Sequence, residues 1–270
     1  MDKRSAVRKY FARVPKWALW LIGFFLLAGL MGGGGAIGYI FWLAAAALAA
    51  WLISIVVGRP TDQQVDTWLA EDLRSIEERA LAKSGLDRDG TVRDSVVVVG
   101  PRLRNTGGAK FGFHKGGDMR ARFTPLDVSV LNFTEHQLVA YQCSLDFMTG
   151  DPRSESVDEF FYNDIVSVST QAEPQRFNIG ELDKDLLSLG KSLKKAAEKT
   201  GVLQVDDAQS FVLSSSGGTS IRVVLSAPMV INSLGGGTIS MEDSDRAVQA
   251  IRKMVREKKA GALPIRAAMA

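Results

Sequence analysis

The 42 residues from Trp17 to Gly58 contain no charged side chain. A helix that crosses a bilayer needs about 20 apolar residues, so the stretch holds enough for two. Gly32-Gly33-Gly34-Gly35 stands near its middle, where a tight reversal would fall. The expectation is a transmembrane helical hairpin over residues 17–58, one span ending at Met31 and the other running from Ile37 to Val57. Trp17, Trp20, Trp42 and Trp51 would supply interfacial belts. Lys3, Arg4, Arg8, Lys9, Arg13 and Lys16 precede the hairpin against Asp2 alone, its turn is uncharged, and Arg59 follows it. The positive-inside rule then predicts a two-pass inner (plasma) membrane protein with both termini cytoplasmic. A second apolar segment so soon after the first argues against a cleaved signal peptide. The single Cys143 permits no intrachain disulfide, which agrees with a reducing compartment.

Two features of this region leave alternatives open. Val7, Tyr10, Phe11 and Val14 share one face of a helix whose other faces are basic, a pattern that suits either a helix lying on an anionic leaflet or charges that only set topology. Ala44 to Ala47 would let helices approach closely, inside the hairpin or between copies. Neither span holds an Asp, Glu, Lys, Arg or His, which argues against an ion or proton relay and for an anchor.

Charge is unevenly spread. The net +3 divides into +5 on the first 16 residues, −7 on residues 59–243 and +5 on residues 244–270. Both basic ends suit an anionic membrane surface. The acidic middle lacks the positive field that holds nucleic acid, so no nucleic-acid partner is expected.

After the hairpin, Thr61 and Gln64 have capping-box spacing. Val65, Trp68, Leu69, Leu73, Ile76 and Ala80 keep helical period up to Gly85, the expected stop. From Thr91 the pattern becomes that of strands: Val96–Val99, Phe123–Leu131, then Val139, Tyr141, Cys143, Leu145 and Phe147 in the alternation of a half-buried strand, and Phe160–Ser169 with a kink at Asn163-Asp164. Asp183–Lys199 reads as an inserted helix. Phe211–Leu213 and Ile221–Leu225 flank Gly217-Gly218 as a hairpin. Pro228–Ile231 and Gly237–Ser240 read as a short edge pair. The last helix runs from Ser244 to Lys259, with Ala247, Val248, Ile251, Met254 and Val255 on its apolar face.

Strands closed by one amphipathic helix, together with the runs Phe161-Tyr162-Asn163-Asp164-Ile165-Val166-Ser167-Val168 and Ala247-Val248-Gln249-Ala250-Ile251-Arg252-Lys253-Met254, resemble the pleckstrin-homology-like (PH-like) domains of bacterial membrane proteins. The fold class expected is α+β: a two-helix transmembrane hairpin, then a small PH-like β-barrel or sandwich with a C-terminal capping helix and an inserted helix. The expected divisions are a basic cytoplasmic tail (1–16), the hairpin (17–58), a connector helix (59–88), a cytoplasmic PH-like domain (89–260) and a flexible tail (261–270).

Catalytic inventories fail. Two histidines and one cysteine make no metal-ligand spacing, and no nucleophile with base and orienting group assembles, so neither catalysis, metal nor cofactor is expected. Gly190-Lys191-Ser192 lacks the glycine of a phosphate loop, and Asp87–Gly90 lacks the closing ligand of a calcium loop. One segment stands apart. Residues 100–122 hold six glycines and six basic residues, Arg102, Arg104, Lys110, Lys115, Arg120 and Arg122, against Asp118. Glycines let backbone N–H groups approach an anion, and arginine forks bind phosphate oxygens. The PH-like resemblance implies that Lys110, Lys115, Arg120 and Arg122 contact an anionic lipid headgroup or another phosphate. The expected function is a membrane-anchored binding or scaffold module for a protein partner or anionic headgroup. The alternative is an effector or sensor whose soluble domain binds a small anion and drives hairpin self-association.

Overall fold

The computed structural model describes residues 2–12, 15–32, 35–172, 174–178, 186, 194–195, 198–199, 201–239 and 242–261, in two compact bodies divided after Val65.

The first body contains α1 (Lys3–Phe11), α2 (Lys16–Met31), α3 (Ala36–Val56) and the start of α4 (Asp62–Ser84). Trp17 meets Trp51 and Phe25 stacks on Phe41, ring centroids 6.3 and 6.2 Å apart, so α2 and α3 pack antiparallel. Gly29 makes room for an indole: a Cβ there would lie 2.5 Å from Trp42 Nε1. Gly38, Ala45 and Leu52, one heptad apart, are the buried residues of α3, whereas Ala46 and Ala47 are exposed. With 21 residues and a mean hydropathy of 2.2, α3 is long and apolar enough to cross a membrane. The apolar part of α2, Trp17–Met31, is shorter than such a span. The apolar face of α1 is covered by protein: Val7 and Tyr10 are buried, and the Tyr10 hydroxyl donates to Asp62 at 2.6 Å. Lys9 donates to the Val57 carbonyl and Arg59 to that of Ala12, which ties the two ends of the hairpin together. The capping box forms as expected, with Gln64 N–H donating to Thr61 Oγ1 at 3.3 Å and Thr61 N–H to Gln64 Oε1 at 3.0 Å.

The second body is mixed helix and antiparallel sheet. Its strands are β1 (Val96–Pro101), β2 (Gly112–Lys115), β3 (Ala121–Thr124), β4 (Leu126–Phe133), β5 (Gln137–Asp146), β6 (Asp151–Phe161), β7 (Ile165–Ala172), β8 (Gln175–Asn178), β9 (Val202–Val205), β10 (Gln209–Ser215) and β11 (Ser220–Ser226). They form a four-stranded sheet ordered β1-β4-β5-β6, a three-stranded sheet ordered β11-β10-β7, and the hairpins β2-β3 and β8-β9. Helix α5 (Pro228–Leu234) follows β11, and α6 (Glu242–Gly261) closes the described chain.

Several elements differ from expectation for local reasons. Pro125 divides the run expected over 123–131 into β3 and β4. Residues 228–231 form α5 rather than a strand, because Pro228 sits at a first helical position, where its fixed φ and missing N–H cost nothing. Asp207 accepts the Met229 N–H and satisfies that helix end. Thr238 instead exchanges hydrogen bonds with β3 and its turn, its carbonyl accepting from Ala121 N–H and its N–H donating to Met119. The expected half-buried strand β5 is buried on both faces, Tyr141 and Leu145 on one and Leu138 and Ala140 on the other. Most of the inserted helix expected over 183–199, and the tail from 262, lie outside the described residues, though Leu186 is a core residue.

Two cores lie on opposite faces of the four-stranded sheet. One gathers Val98, Leu131, Phe133, Leu138 and Ala140 with Phe211, Ile221 and Val223 of the second sheet, and α6 covers it with Ala247, Val248, Ile251, Met254 and Val255. The other gathers Val128, Val130, Tyr141, Cys143 and Leu145 beneath Leu69, Leu73, Ile76 and Ala80 of α4 and the aromatic β2-β3 hairpin. Each fully buried large apolar side chain contributes about 1.5–3 kcal/mol. The sheets approach closely at Gly100, where a Cβ would fall 1.8 Å from the Val224 carbonyl oxygen.

Ion pairs fix α4 on its face of the sheet at two levels. Arg79 makes a double hydrogen bond to Glu155 of β6, 2.8 Å for each, and the Tyr141 hydroxyl donates to the same carboxylate at 2.8 Å. Arg122 of β3 does the same to Asp66, 2.7 Å for each. Hydrogen bonding from Arg79 first, aided by Tyr141, holds the Glu155 carboxyl down to about 2.

Two predictions follow from this packing. Gly100→Ala forces the sheets apart and costs about 1–3 kcal/mol, read as a melting midpoint several degrees lower for the full chain in detergent. Gly90→Ala, with open space around its Cβ, should move the midpoint little. The depressed Glu155 pKa means that its contribution is whole above its ordinary value of 4.5 and is lost as pH falls toward 2. The stability difference between wild type and Glu155→Gln should therefore be constant at neutral pH and shrink between those limits. A difference that grows in acid contradicts the assignment.

Candidate functional site

Along β4 and β5 the face that carries the α6 core changes character. Leu131 and Phe133 give way, two residues at a time, to Ser129 and Asp127. Leu138 and Ala140 give way to Gln142 and Ser144. Register sets Ser129 opposite Gln142, and Gln142 opposite Ser156 of β6, so a polar row crosses three strands. β11 bounds it with Arg222 and Val223, and the segment after β1 adds Arg102, Arg104 and Asn105. The result is a half-open cleft of about 490 Å3, in the size range of small-molecule sites.

Three guanidinium groups face this cleft with one carboxylate. Arg102 donates to Asp127 at 2.8 Å and, through Nε, to the Asn105 carbonyl at 2.8 Å. Burial pushes the Asp127 carboxyl up, and the Arg102 charge opposes it. Arg104 lies over the Phe177 ring, 5.9 Å from its centroid. Among the described residues neither Arg104 nor Arg222 has a carboxylate within ion-pair distance. The cleft thus carries an excess of two positive charges. Arg153 steadies its rim, donating to the Gly107 carbonyl at 3.0 Å and to Asp146 at 3.2 Å.

Asn105 and Ser154 have φ of 49° and 52°, and both line the cleft. Ser154 occupies a bulge in β6, where register shifts between Gln142 and Ser144. Backbone held in this sparsely populated region costs of order 1 kcal/mol or more and recurs at ligand sites.

The six basic residues singled out in the sequence separate. Arg102 and Arg104 line the cleft. Lys110 stands exposed ahead of β2. Lys115 and Arg120 belong to the β2-β3 hairpin and its turn. Arg122 departs from the headgroup role that the resemblance implied: its side chain is 9% exposed and spends its donors on Asp66 and on Asp118, at 3.0 and 2.8 Å. The same hydrogen bonds hold the Asp118 carboxyl well below the usual carboxylate range. A guanidinium shared by two carboxylates has little capacity left for a phosphate. Arg222, Asp127, Ser129, Gln142 and Ser156 were not singled out, because β11 and β6 bring them to the segment only through long-range pairing. No group of side chains among the described residues could hold a metal ion. Cys143 is buried, and burial pushes its thiol up to about 11, away from nucleophilic reactivity.

No protein-family model, no curated protein and no solved structure matches this chain.

The separation makes a prediction. Arg122→Gln should destabilise the full chain by about 1–3 kcal/mol, since hydrogen bonds to charged groups are lost, while Lys110→Gln and Lys115→Gln leave the melting midpoint near wild type. Equal midpoints for all three would remove the structural role from Arg122.

Proposed function

We propose that this protein is a membrane-anchored binding module that recognises an anionic group through the cleft between its two sheets. The observation that carries the reading is the pair Arg104 and Arg222, two exposed arginines that line a polar cleft and, among the described residues, have no carboxylate within ion-pair distance. Arginine forks pair with planar and tetrahedral oxyanions, and a ligand that neutralises them completes the charge balance.

A PH-like reading of the second body draws support from element order. Set aside the β2-β3 and β8-β9 hairpins, and a four-stranded meander is followed by a three-stranded meander and a helix that covers the core between them. The two hairpins are this chain's additions. The membrane reading is two-pass, over residues 17–58, with both termini cytoplasmic and the binding domain beside them. It draws support from α3, from the exposed Trp20, Leu27, Leu30, Ile40 and Leu43, and from the basic residues that precede the hairpin. Burial of Gly38 and Ala45 inside the hairpin favours an anchor over an effector.

The test uses the full chain in neutral detergent. Inorganic phosphate at about a hundred times its Kd should stabilise it by about 2.7 kcal/mol, as any ligand that binds only the native state does. Arg104→Gln with Arg222→Gln should abolish the shift. A wild-type shift that survives in the double variant would place the anion elsewhere, and none with any oxyanion would end the reading. For topology, a reporter active only in the periplasm should be silent after Ala270 and active between Gly33 and Gly34. The reverse pattern inverts the compartment.

A further inference from the structure

The anion reading leaves the rest of the ligand open, and the walls of the cleft narrow it. The inference rests on that reading. The floor is a row of hydroxyl and amide groups, Ser129, Gln142 and Ser156, on neighbouring strands, with Ser154 beside them in the bulge. Val128, Cys143 and Val223 are the apolar residues of the lining, and among the described residues no aromatic ring takes part. A planar base would find no aromatic ring to stack on among the described residues, and an alkyl chain would find too little apolar surface. Hydroxyl groups, in contrast, would find donors and acceptors along three strands.

Charge and size give the other limits. Arg102 is paired with Asp127, so Arg104 and Arg222, both exposed, offer two positive charges, a match for the charge of about two that a phosphate monoester carries near neutral pH. A volume of about 490 Å3 is more than a bare phosphate fills. Asp127, half of a pair with Arg102, is the one carboxylate lining the cleft among the described residues and can accept a hydrogen bond from a ligand hydroxyl.

We propose that the cleft holds a phosphate monoester on a small hydroxylated, non-aromatic body, a phosphorylated polyol or sugar, with Arg104 and Arg222 on the phosphate and the Ser129-Gln142-Ser156 row on the hydroxyl groups. The phosphate chemistry is shared by soluble sugar phosphates and by lipid headgroups, and the experiment separates these sources.

Calorimetric titration of the full chain in neutral detergent compares glucose 6-phosphate, glycerol 3-phosphate, inorganic phosphate, adenosine 5′-monophosphate and glucose. A parallel arm uses the chain in nanodiscs with and without phosphatidic acid. The hydroxylated phosphates should bind about tenfold or more tighter than inorganic phosphate or the nucleotide, and glucose should not bind. Arg104→Gln and Arg222→Gln should each weaken glucose 6-phosphate by about tenfold to a hundredfold, the range for a lost charged hydrogen bond. Lys253→Gln, on the outer face of α6, should not weaken it.

The decisive variant is Ser129→Ala with Ser156→Ala. It should weaken glucose 6-phosphate toward the affinity of inorganic phosphate and leave inorganic phosphate unchanged, an internal control for folding. Inorganic phosphate equal to glucose 6-phosphate, or equal losses of both in the serine variant, would overturn the hydroxylated body and leave the anion site standing. A preference for the nucleotide would overturn it in the same way. Binding confined to phosphatidic acid discs would overturn the soluble source. Loss of every anion response, with arginine variants like wild type, would instead remove the anion reading beneath it.

Discussion

The Val224 carbonyl sits where any residue but glycine at position 100 would carry its Cβ. That approach sets how closely β11 of the three-stranded sheet can come to β1 of the four-stranded one. On one side of the crossing the sheets diverge over Leu131, Phe133, Leu138 and Ala140, and the gap is wide enough for a helix, which α6 fills with five apolar residues. On the other side the gap is polar and stays open to solvent. A single backbone contact therefore separates a core from a cleft. Glycine also weakens a strand, by roughly 0.5–1 kcal/mol relative to alanine. Its presence in a Val-Val-Val-Val-Gly run is explained only by the close approach.

The opposite face depends on α4, and two kinds of interaction hold it. Ile76 and Ala80 are buried and Leu69 and Leu73 pack beside them, a contribution of several kcal/mol at about 1.5–3 kcal/mol for each large side chain. The Arg79–Glu155 pair is partly exposed on both sides, and such pairs add little net stability. Its double hydrogen bond acts on geometry. With Arg122–Asp66 one end of α4 is pinned to β3, and with Arg79–Glu155 the other is pinned to β6, so the helix can neither slide nor rotate without breaking a bidentate pair. Burial supplies the energy and the arginines set the register.

Elements with a strong period or local chemistry were legible in the sequence. The capping box at Thr61, the stop at Gly85 with its φ of 64°, the Gly217-Gly218 hairpin and the apolar face of α6 all rest on residues within one or two turns of each other. β6 was not legible, because an edge strand carries Asp151, Arg153, Glu155, Asp158 and Glu159, charges that guard an edge and read as a loop. α5 was missed for a different reason, since seven residues give too little period to outweigh the β-branched run at its centre. Only the part of the cleft formed by Arg102 and Arg104 was visible, as basic residues after β1. Most of its lining lies on β4, β5, β6 and β11, and the pairing that gathers it is absent from any local window. One signal was present: Asp127-x-Ser129 continues the core-facing alternation of Leu131-x-Phe133, and polar residues on a core parity mark where a core ends.

That parity bears on how the cleft treats charge. Ser129 is buried beside the core, so the cleft floor has protein rather than bulk water behind it. Interactions with an anion there are screened less than on an open surface. Arg102, Arg122 and Arg153 each face a carboxylate, whereas Arg104 and Arg222 are exposed and their charge is solvated. Arg104 lies over the Phe177 ring, and Arg222 is exposed on β11. A carboxylate would compete with an incoming anion, whereas an aromatic face orients a guanidinium without neutralising it. The contrast is between arginines whose donors are spent on carboxylates, Arg102, Arg122 and Arg153, and the cleft-lining Arg104 and Arg222, which have no carboxylate partner among the described residues.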